Sequence, residues 1–401
     1  MHSAAPDQRP PRVAAVYRRR RLAAVAVLAA LALAAALGAR SCGGDEQPLP
    51  LGAEQARLVE LARNPVELTL SFSGDLLIHS PVWARALALG GGEDYDFAPL
   101  FAELRPFVAG ADLAFCHLET PMTRAAPSSF PIFNTPPDLA RAIAATGWDA
   151  CDTASNHTLD QGPEGIVATL RALDRADVEH TGSAGSERQR RRPLILESGG
   201  ARIAYLAYTS DTNGIPLPRR YSVNLIDRDR ILADARRARE GGADAVIVNL
   251  HWASEAVGEY LTEPSAEQRR LVAGLVQAPE ITAIVGQGPH VAQPIREVGG
   301  KVVVFSEGNL ISNQGAATGL PAPSQDGYVA LLDLVVDGEG ARVVEARYVP
   351  IWVDHLDHRV LPVGRALDTG EADPAALEAS YRRTIEIVGR SAATPEPQRL
   401  P

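Results

Sequence analysis

Cysteine and lysine are both scarce in this chain. Among 401 residues there are three cysteines, Cys42, Cys116 and Cys151. Their spacing fits no zinc motif, which argues against a structural metal held by thiolates. Cys116 and Cys151 fall within apolar runs, where cysteine packs as a small apolar side chain. Two buried free thiols are therefore expected. A disulfide between them needs a Cα separation that sequence does not supply. Lys301 is the sole lysine. Formal net charge is −10, yet residues 1–40 hold Arg9, Arg12, Arg18 to Arg21 and Arg40 against Asp7 alone, about +6. Taking +6 from −10 leaves about −16 for the rest. Such an acidic body argues against nucleic acid as a partner, because that needs a basic face. A Gly-x-Ser-x-Gly elbow, a P-loop and a dinucleotide fingerprint are missing too.

The basic N-terminus has another use. Arg18 to Arg21 directly precede residues 22–38, a continuous Ala/Leu/Val run. A charged segment followed by such a run is an export signal or a membrane anchor. Its length is at the lower limit for a spanning helix. Positive charge stays cytoplasmic, so the remainder would face outward from the cell membrane. The expected order is a cytoplasmic basic segment (1–21), a transmembrane anchor or signal segment (22–38) and a linker (39–65). An uncleaved anchor is preferred. The alternatives are a lipoprotein attached through Cys42, which follows Ala39-Arg40-Ser41, and a cleaved secretion signal; the arginine pairs also permit a twin-arginine signal.

Hydrophobic content of 46% supports one large or two ordinary domains. From Val66 onward, short β-branched runs alternate with helical segments, the pattern of an α/β fold. Helices are expected from Pro81, and over 98–108, 137–146, 163–176, 227–240, 265–276 and 374–388. Gly199-Gly200 and Asp337-Gly338-Glu339-Gly340 each separate two strands as hairpin turns do. Hairpins in the middle and at the end predict two packed sheets with helices outside, a four-layer α-β-β-α sandwich over residues 66–361. A C-terminal helix and disordered tail are expected over 362–401.

Six apolar runs end on residues able to hold a metal or move a proton. They span 68–78, 113–119, 151–157, 245–252, 281–290 and 302–309, and they supply Asp75, Glu119, Asn156-His157, His251, His290 and Asn309. Ligands in α/β sheets bind beyond the carboxyl ends of the strands. Taken singly, each residue is more often a turn or a solvated strand end; six together point to one site. Carboxylates, an amide and imidazoles suit Mn²⁺, Fe²⁺ or Zn²⁺, as one ion or two. Such ions lower the pKa of bound water and stabilise phosphoryl or acyl transition states. His157 suits general acid or base chemistry.

These stretches resemble a known family. They are Ser73-Gly74-Asp75, His117-Leu118-Glu119-Thr120-Pro121, Ala154-Ser155-Asn156-His157 through Asp160-Gln161-Gly162, Asn249-Leu250-His251-Trp252 through Glu255, Pro289-His290 through Pro294, and Phe305-Ser306-Glu307-Gly308-Asn309. In order, over about 66 to 352, they look like the CapA-like capsule and poly-γ-glutamate biosynthesis proteins, whose fold is related to calcineurin-like metallophosphoesterases. The resemblance implies an anchored extracytoplasmic domain acting on an anionic envelope polymer or with its synthase complex. It implies a divalent metal held by Asp75, Glu119, Asn156, His251 and His290, with His157 catalytic. His79, Asp160, Trp252, Glu255 and Asn309 are then expected to bind substrate or support the ligands. Three positions depart from the pattern. Gly288 stands where the family usually has His, His117 where Asn precedes Leu-Glu, and Ser155 where a first Asn is common. The missing imidazole implies one metal rather than two, a ligand from elsewhere such as His79, or a binding domain without hydrolysis. Arg188 to Arg192 form a basic run that a polymer could use, though a solvated loop is the preferred reading.

Overall fold

Alternating apolar residues in the first strand show how the sheets are laid. The computed structural model describes residues 53–252 and 259–389. Its strands are β1 (Val66–Leu76), β2 (Leu113–His117), β3 (Ala150–Asp152), β4 (Glu179–Thr181), β5 (Leu194–Ser198), β6 (Ala201–Thr209), β7 (Ala245–His251), β8 (Ala283–Gln287), β9 (Ile295–Val298), β10 (Lys301–Val304), β11 (Asn309–Ile311), β12 (Asp326–Asp337), β13 (Gly340–Asp354) and β14 (Arg359–Pro362). One sheet runs β14-β13-β12-β1-β2-β3-β4, with β11 paired to the end of β1. The other runs β5-β6-β7-β8-β10-β9. Both are mixed. β1 to β4 are parallel to one another, as are β6, β7, β8 and β10, while the hairpin strands pair antiparallel.

The period of two sorts each strand's side chains into different cores. Leu70 and Phe72 of β1, Phe115 of β2, Tyr205 of β6, Ile247 of β7 and Val285 of β8 share one apolar cluster, so the sheets face each other. Phe72 stacks on Phe115 at 5.0 Å, and Phe115 meets Tyr205 at 4.4 Å across the gap. Truncating Phe115 to alanine there would cost about 3–5 kcal/mol. The alternate residues point outward. Ala114 joins Val82, Ile143 and Leu173 from the helices Ser80–Leu89, Leu139–Thr146 and Gly162–Arg175. Val246, Val248 and Leu250 of β7 join Ile231, Ala235, Val272 and Leu275 from helices Arg228–Glu240 and Ala266–Leu275. Helices thus cover both outer faces. Side chains of Asp227 and Ser265 cap the latter two helices.

Several expectations change. The helix expected over 98–108 is a 3-10 helix, Ala98–Leu104, followed by a short α-turn, Arg105–Val108. Pro99 and Pro106 remove two amide donors from that stretch. Cys116 and Cys151 are not free thiols but a disulfide, because β2 and β3 place them directly opposite with Cα atoms 4.5 Å apart. Packing also continues past residue 361. Val363, Ala366 and Leu377 of helices Val363–Thr369 and Pro374–Val388 pack on Trp352 and Leu361, and Arg383 donates to both oxygens of Asp326 at 2.7 and 2.9 Å. Among the described residues no helix is long and apolar enough to cross a membrane. The segment expected at 22–38, Cys42 and the tail beyond residue 389 lie outside the described residues.

Candidate metal centre

The parallel strands of both sheets deliver polar residues to one place. Asp75 is the last but one residue of β1, with its Oδ1 3.6 Å from His117 Nε2 at the end of β2. His117 Nε2 lies 2.9 Å from Nδ1 of His251, the last residue of β7, and the two rings stack. His290, beyond β8, directs Nδ1 at Asp75 Oδ2 (3.0 Å) and Asn309 Oδ1 (3.1 Å). Glu119 Oε1 is 3.8 Å from His290 Nε2 and 4.0 Å from His251 Nε2. Two groups of converging donor atoms result, Asp75 with His117 and His251, and Asp75 with Glu119 and His290.

The backbone is bent to allow this. A β-carbon on Gly74 would sit 1.9 Å from the Gly308 carbonyl, which accepts the Asp75 N–H at 3.0 Å. Only glycine permits that approach. His290 adopts φ +57, a left-handed conformation that costs a non-glycine residue on the order of 1 kcal/mol. Asn309 holds it there, accepting from its ring and donating to Gln314 Oε1 and the Ser324 carbonyl at 2.9 and 2.8 Å.

Burial leaves the donor atoms short of partners. Asp75 Oδ1, both Glu119 oxygens, Asn156 Oδ1 and His251 Nε2 are buried with no hydrogen-bond partner. An unpaired buried acceptor costs about 1–3 kcal/mol, more when charged. Four of them, on Asp75, Glu119 and His251, belong to residues whose donor atoms converge, and their mixed oxygen and nitrogen character fits a divalent metal. Mutual interactions and burial shift the protonation of these groups. Burial alone would lower His117, but Asp152, Asp75 and Glu119 hold it up at about 9. Burial likewise opposes protonation of His290, yet Glu119 and Asp75 raise it to about 10. Burial, followed by repulsion from His117 and His290, keeps His251 well below the usual imidazole range. Burial raises Glu119 to about 7.

A second layer fixes His117. Its Nδ1 meets Asp152 Oδ1 at 2.8 Å, which leaves Nε2 turned to the cluster. Asp152 Oδ2 also accepts from Tyr205 (3.1 Å) and Asn249 (2.9 Å). Gln287 donates to Asn249 Oδ1 and Glu307 Oε2 at 2.8 and 2.7 Å. Carboxylates behind imidazoles fix tautomer and aim in metal sites.

The other expected residues divide. His157 Nδ1 meets Asp160 Oδ2 at 2.7 Å, and its ring sits edge-on against Phe133. Asn156 donates to Asn213 at 3.2 Å and leaves its oxygen unpartnered. His79 does not join the cluster. Its Nδ1 accepts the Asn313 N–H at 3.2 Å, and burial lowers it to about 4. Trp252 lies behind the strand ends. It donates to the Phe305 carbonyl at 2.9 Å and belongs to the outer apolar core of the second sheet. Glu255 lies outside the described residues. Not expected as site residues were His117, Asp152, Asn249, Gln287 and Glu307. Their signal was a polar residue inside or ending an apolar run.

Residues 69–314 match the family model described as "Bacterial capsule synthesis protein PGA_cap", more than half of the chain. The chain belongs to this family. The PGA_cap match takes in both groups of donor atoms and the layer behind them. Capsule biosynthesis protein CapA of Bacillus anthracis is 24% identical over 264 residues, 63% of this chain and 62% of that protein. PGA biosynthesis protein CapA of Bacillus subtilis (strain 168) is 24% identical over 255 residues, 62% of this chain and 64% of that protein. The matched region is thus under two thirds of either relative's length. Among solved structures, calcineurin-like phosphoesterase YfkN from Bacillus subtilis aligns over 80% of this PGA_cap chain and 97% of its own, at 14% identity and a TM-score of 0.43.

Proposed function

We propose that this PGA_cap protein is an extracytoplasmic, metal-dependent hydrolase or transferase acting in synthesis, export or attachment of an anionic capsule polymer of the poly-γ-glutamate type. The observation that carries it is the group of unpartnered buried donor atoms on Asp75, Glu119 and His251 at the strand ends. Asp75, Glu119, His251 and His290 would hold the metal, with Asn156 and His117 completing the set. A bound divalent ion supplies Lewis acidity toward a phosphoryl or acyl oxygen and a more acidic water. The four-layer arrangement and the strand-end site fit the metallophosphoesterase likeness that the sequence motifs imply. His157, braced by Asp160 and Phe133, keeps Nε2 for giving or taking a proton at the reacting oxygen. His117 offers the imidazole that Gly288 lacks, with Asp152 holding its tautomer.

The location is part of the proposal. Anchorage through residues 22–38, or through Cys42, with the domain outside the cytoplasm, is supported by the arginines ahead of the apolar run. The Cys116–Cys151 disulfide supports it too, since disulfides persist in oxidising compartments. The partners would be the polymer or its synthase complex.

Elemental analysis of the full chain, purified without chelator, tests the site. Bound metal is expected, with Asp75→Asn and Glu119→Gln losing most of it. Turnover of phosphodiester and γ-glutamyl amide substrates tests the chemistry. His157→Gln should retain metal and lose about 10²- to 10⁴-fold in rate. Absence of metal under every divalent supplement would sink the enzyme assignment. Metal without turnover would favour a second reading, a polymer- or synthase-binding subunit, which Gly288 motivates.

A further inference from the structure

A cavity lined by residues of the first sheet's helices and loops lies apart from the residues of the metal centre. It has a volume of about 510 Å³, and its walls include Arg124, Arg141 and Arg175 together with Tyr95, Thr123 and Asp138. Three elements bring the arginines together. Arg141 is in the first turn of helix Leu139–Thr146, and Arg175 ends helix Gly162–Arg175. Arg124 sits on the loop that leaves Glu119. Asn134 pins that loop, accepting from the Thr123 hydroxyl at 2.8 Å and donating to the carbonyls of Ala125 and Ala126 at 3.1 and 3.0 Å. The backbone under Arg124 is therefore fixed before any ligand arrives.

The charge balance of the cavity is positive. Arg141 donates to Asp138 at 2.6 Å, which neutralises one pair. Arg124 and Arg175 are exposed and have no hydrogen bond or ion pair among the described residues. The rest of the chain beyond residue 40 carries about −16, so two unpaired guanidinium groups in one concave site stand against the general field. A guanidinium fork matches a carboxylate in geometry and charge.

We infer that this cavity is a second subsite for the polymer, taking the pendant carboxylates of a polycarboxylate through Arg124 and Arg175. The inference rests on the polymer assignment made above but not on the metal. The helix that begins beside His157 and Asp160 ends at Arg175, and its 14 residues span about 20 Å. One monomer cannot touch both sites; an extended chain of several can. The cavity would then hold the polymer while another segment reaches the strand ends. Arg175 could also serve its helix C-terminus alone, where a cation is favoured; that role would appear in melting temperature and not in binding.

The test is binding of γ-linked glutamate oligomers of graded length to the full chain, by calorimetry, for wild type and Arg124→Ala/Arg175→Ala. Affinity should rise with oligomer length in the wild type. The double variant should bind about tenfold more weakly, with its metal content unchanged. Glu119→Gln should lose metal yet keep the arginine-dependent binding, so failure of the metal site and failure of the cavity are separable. Unchanged affinity in the double variant, no dependence on length, or no oligomer binding by the wild type would each overturn the inference.

Discussion

His117 shows most plainly how a single residue sets the chemistry of this site. It is fully buried, braced by Asp152 on one side and set against His251 on the other. In the sequence it stood out only as a departure from an expected asparagine, and Asp152 did not stand out at all. The partnership depends on β2 and β3 lying side by side, a fact of register that neither stretch contains. The missing imidazole at Gly288 was legible, whereas the pairing of His117 with Asp152 was not. Changing His117 to Asn should therefore weaken metal binding by about 10- to 100-fold, and Asp152→Asn should do the same by freeing the wrong tautomer. Competition against a chelating dye reads both. If His117→Asn binds metal as tightly as the wild type, His117 does not belong to the set.

At the scale of elements, long apolar runs were legible and short strands were not. β1 and β7 follow from their apolar runs, the hairpins from the turn residues between their strands, and the caps at Asp227 and Ser265 from residue type. β4, β9 and β11 have three or four residues each, too few to display a period, and they form because neighbouring strands offer unpaired edges. The turn between β13 and β14 was equally silent, although it carries a buried histidine. His358 meets Asn313 Oδ1 at 3.0 Å, and burial, with His355 beside it, lowers its pKa to about 4. A folded state that refuses this proton until about pH 4, against about 6.5 when unfolded, is stabilised above pH 6.5. That stabilisation is lost as pH falls from 6.5 toward 4. His358→Gln can keep the bond to Asn313 but cannot titrate. Thermal melts at pH 7 and pH 5 should show the wild type losing more stability than the variant, by on the order of 1–2 kcal/mol once solvent screening is allowed for. Equal losses would mean that His358 is protonated in the folded protein.

Across the whole molecule, the charge distribution and the proposed ligand are in tension. The net charge is −10 for the chain and about −16 without its first 40 residues, so a polyanion meets repulsion from a distance either way. In the proposal, attraction comes from the arginine-lined cavity and from the metal centre. Long-range repulsion between exposed charges is screened within about 10 Å at 0.1 M salt, and contacts in a concave site are screened less. Raising the ionic strength from about 0.01 to 0.15 M should therefore speed association of a γ-glutamate oligomer, the reverse of what steering by a basic protein gives. Dissociation should also speed up, because the guanidinium–carboxylate contacts weaken. Stopped-flow measurements at the two salt concentrations separate the rates. For Arg124→Ala/Arg175→Ala the gain in association rate should persist, since the acidic body is unchanged, while the salt dependence of dissociation should shrink. An association rate that falls with salt in the wild type would mean that the encounter is steered by a basic surface other than the cavity, and the cavity would lose its claim to be where the polymer first lands.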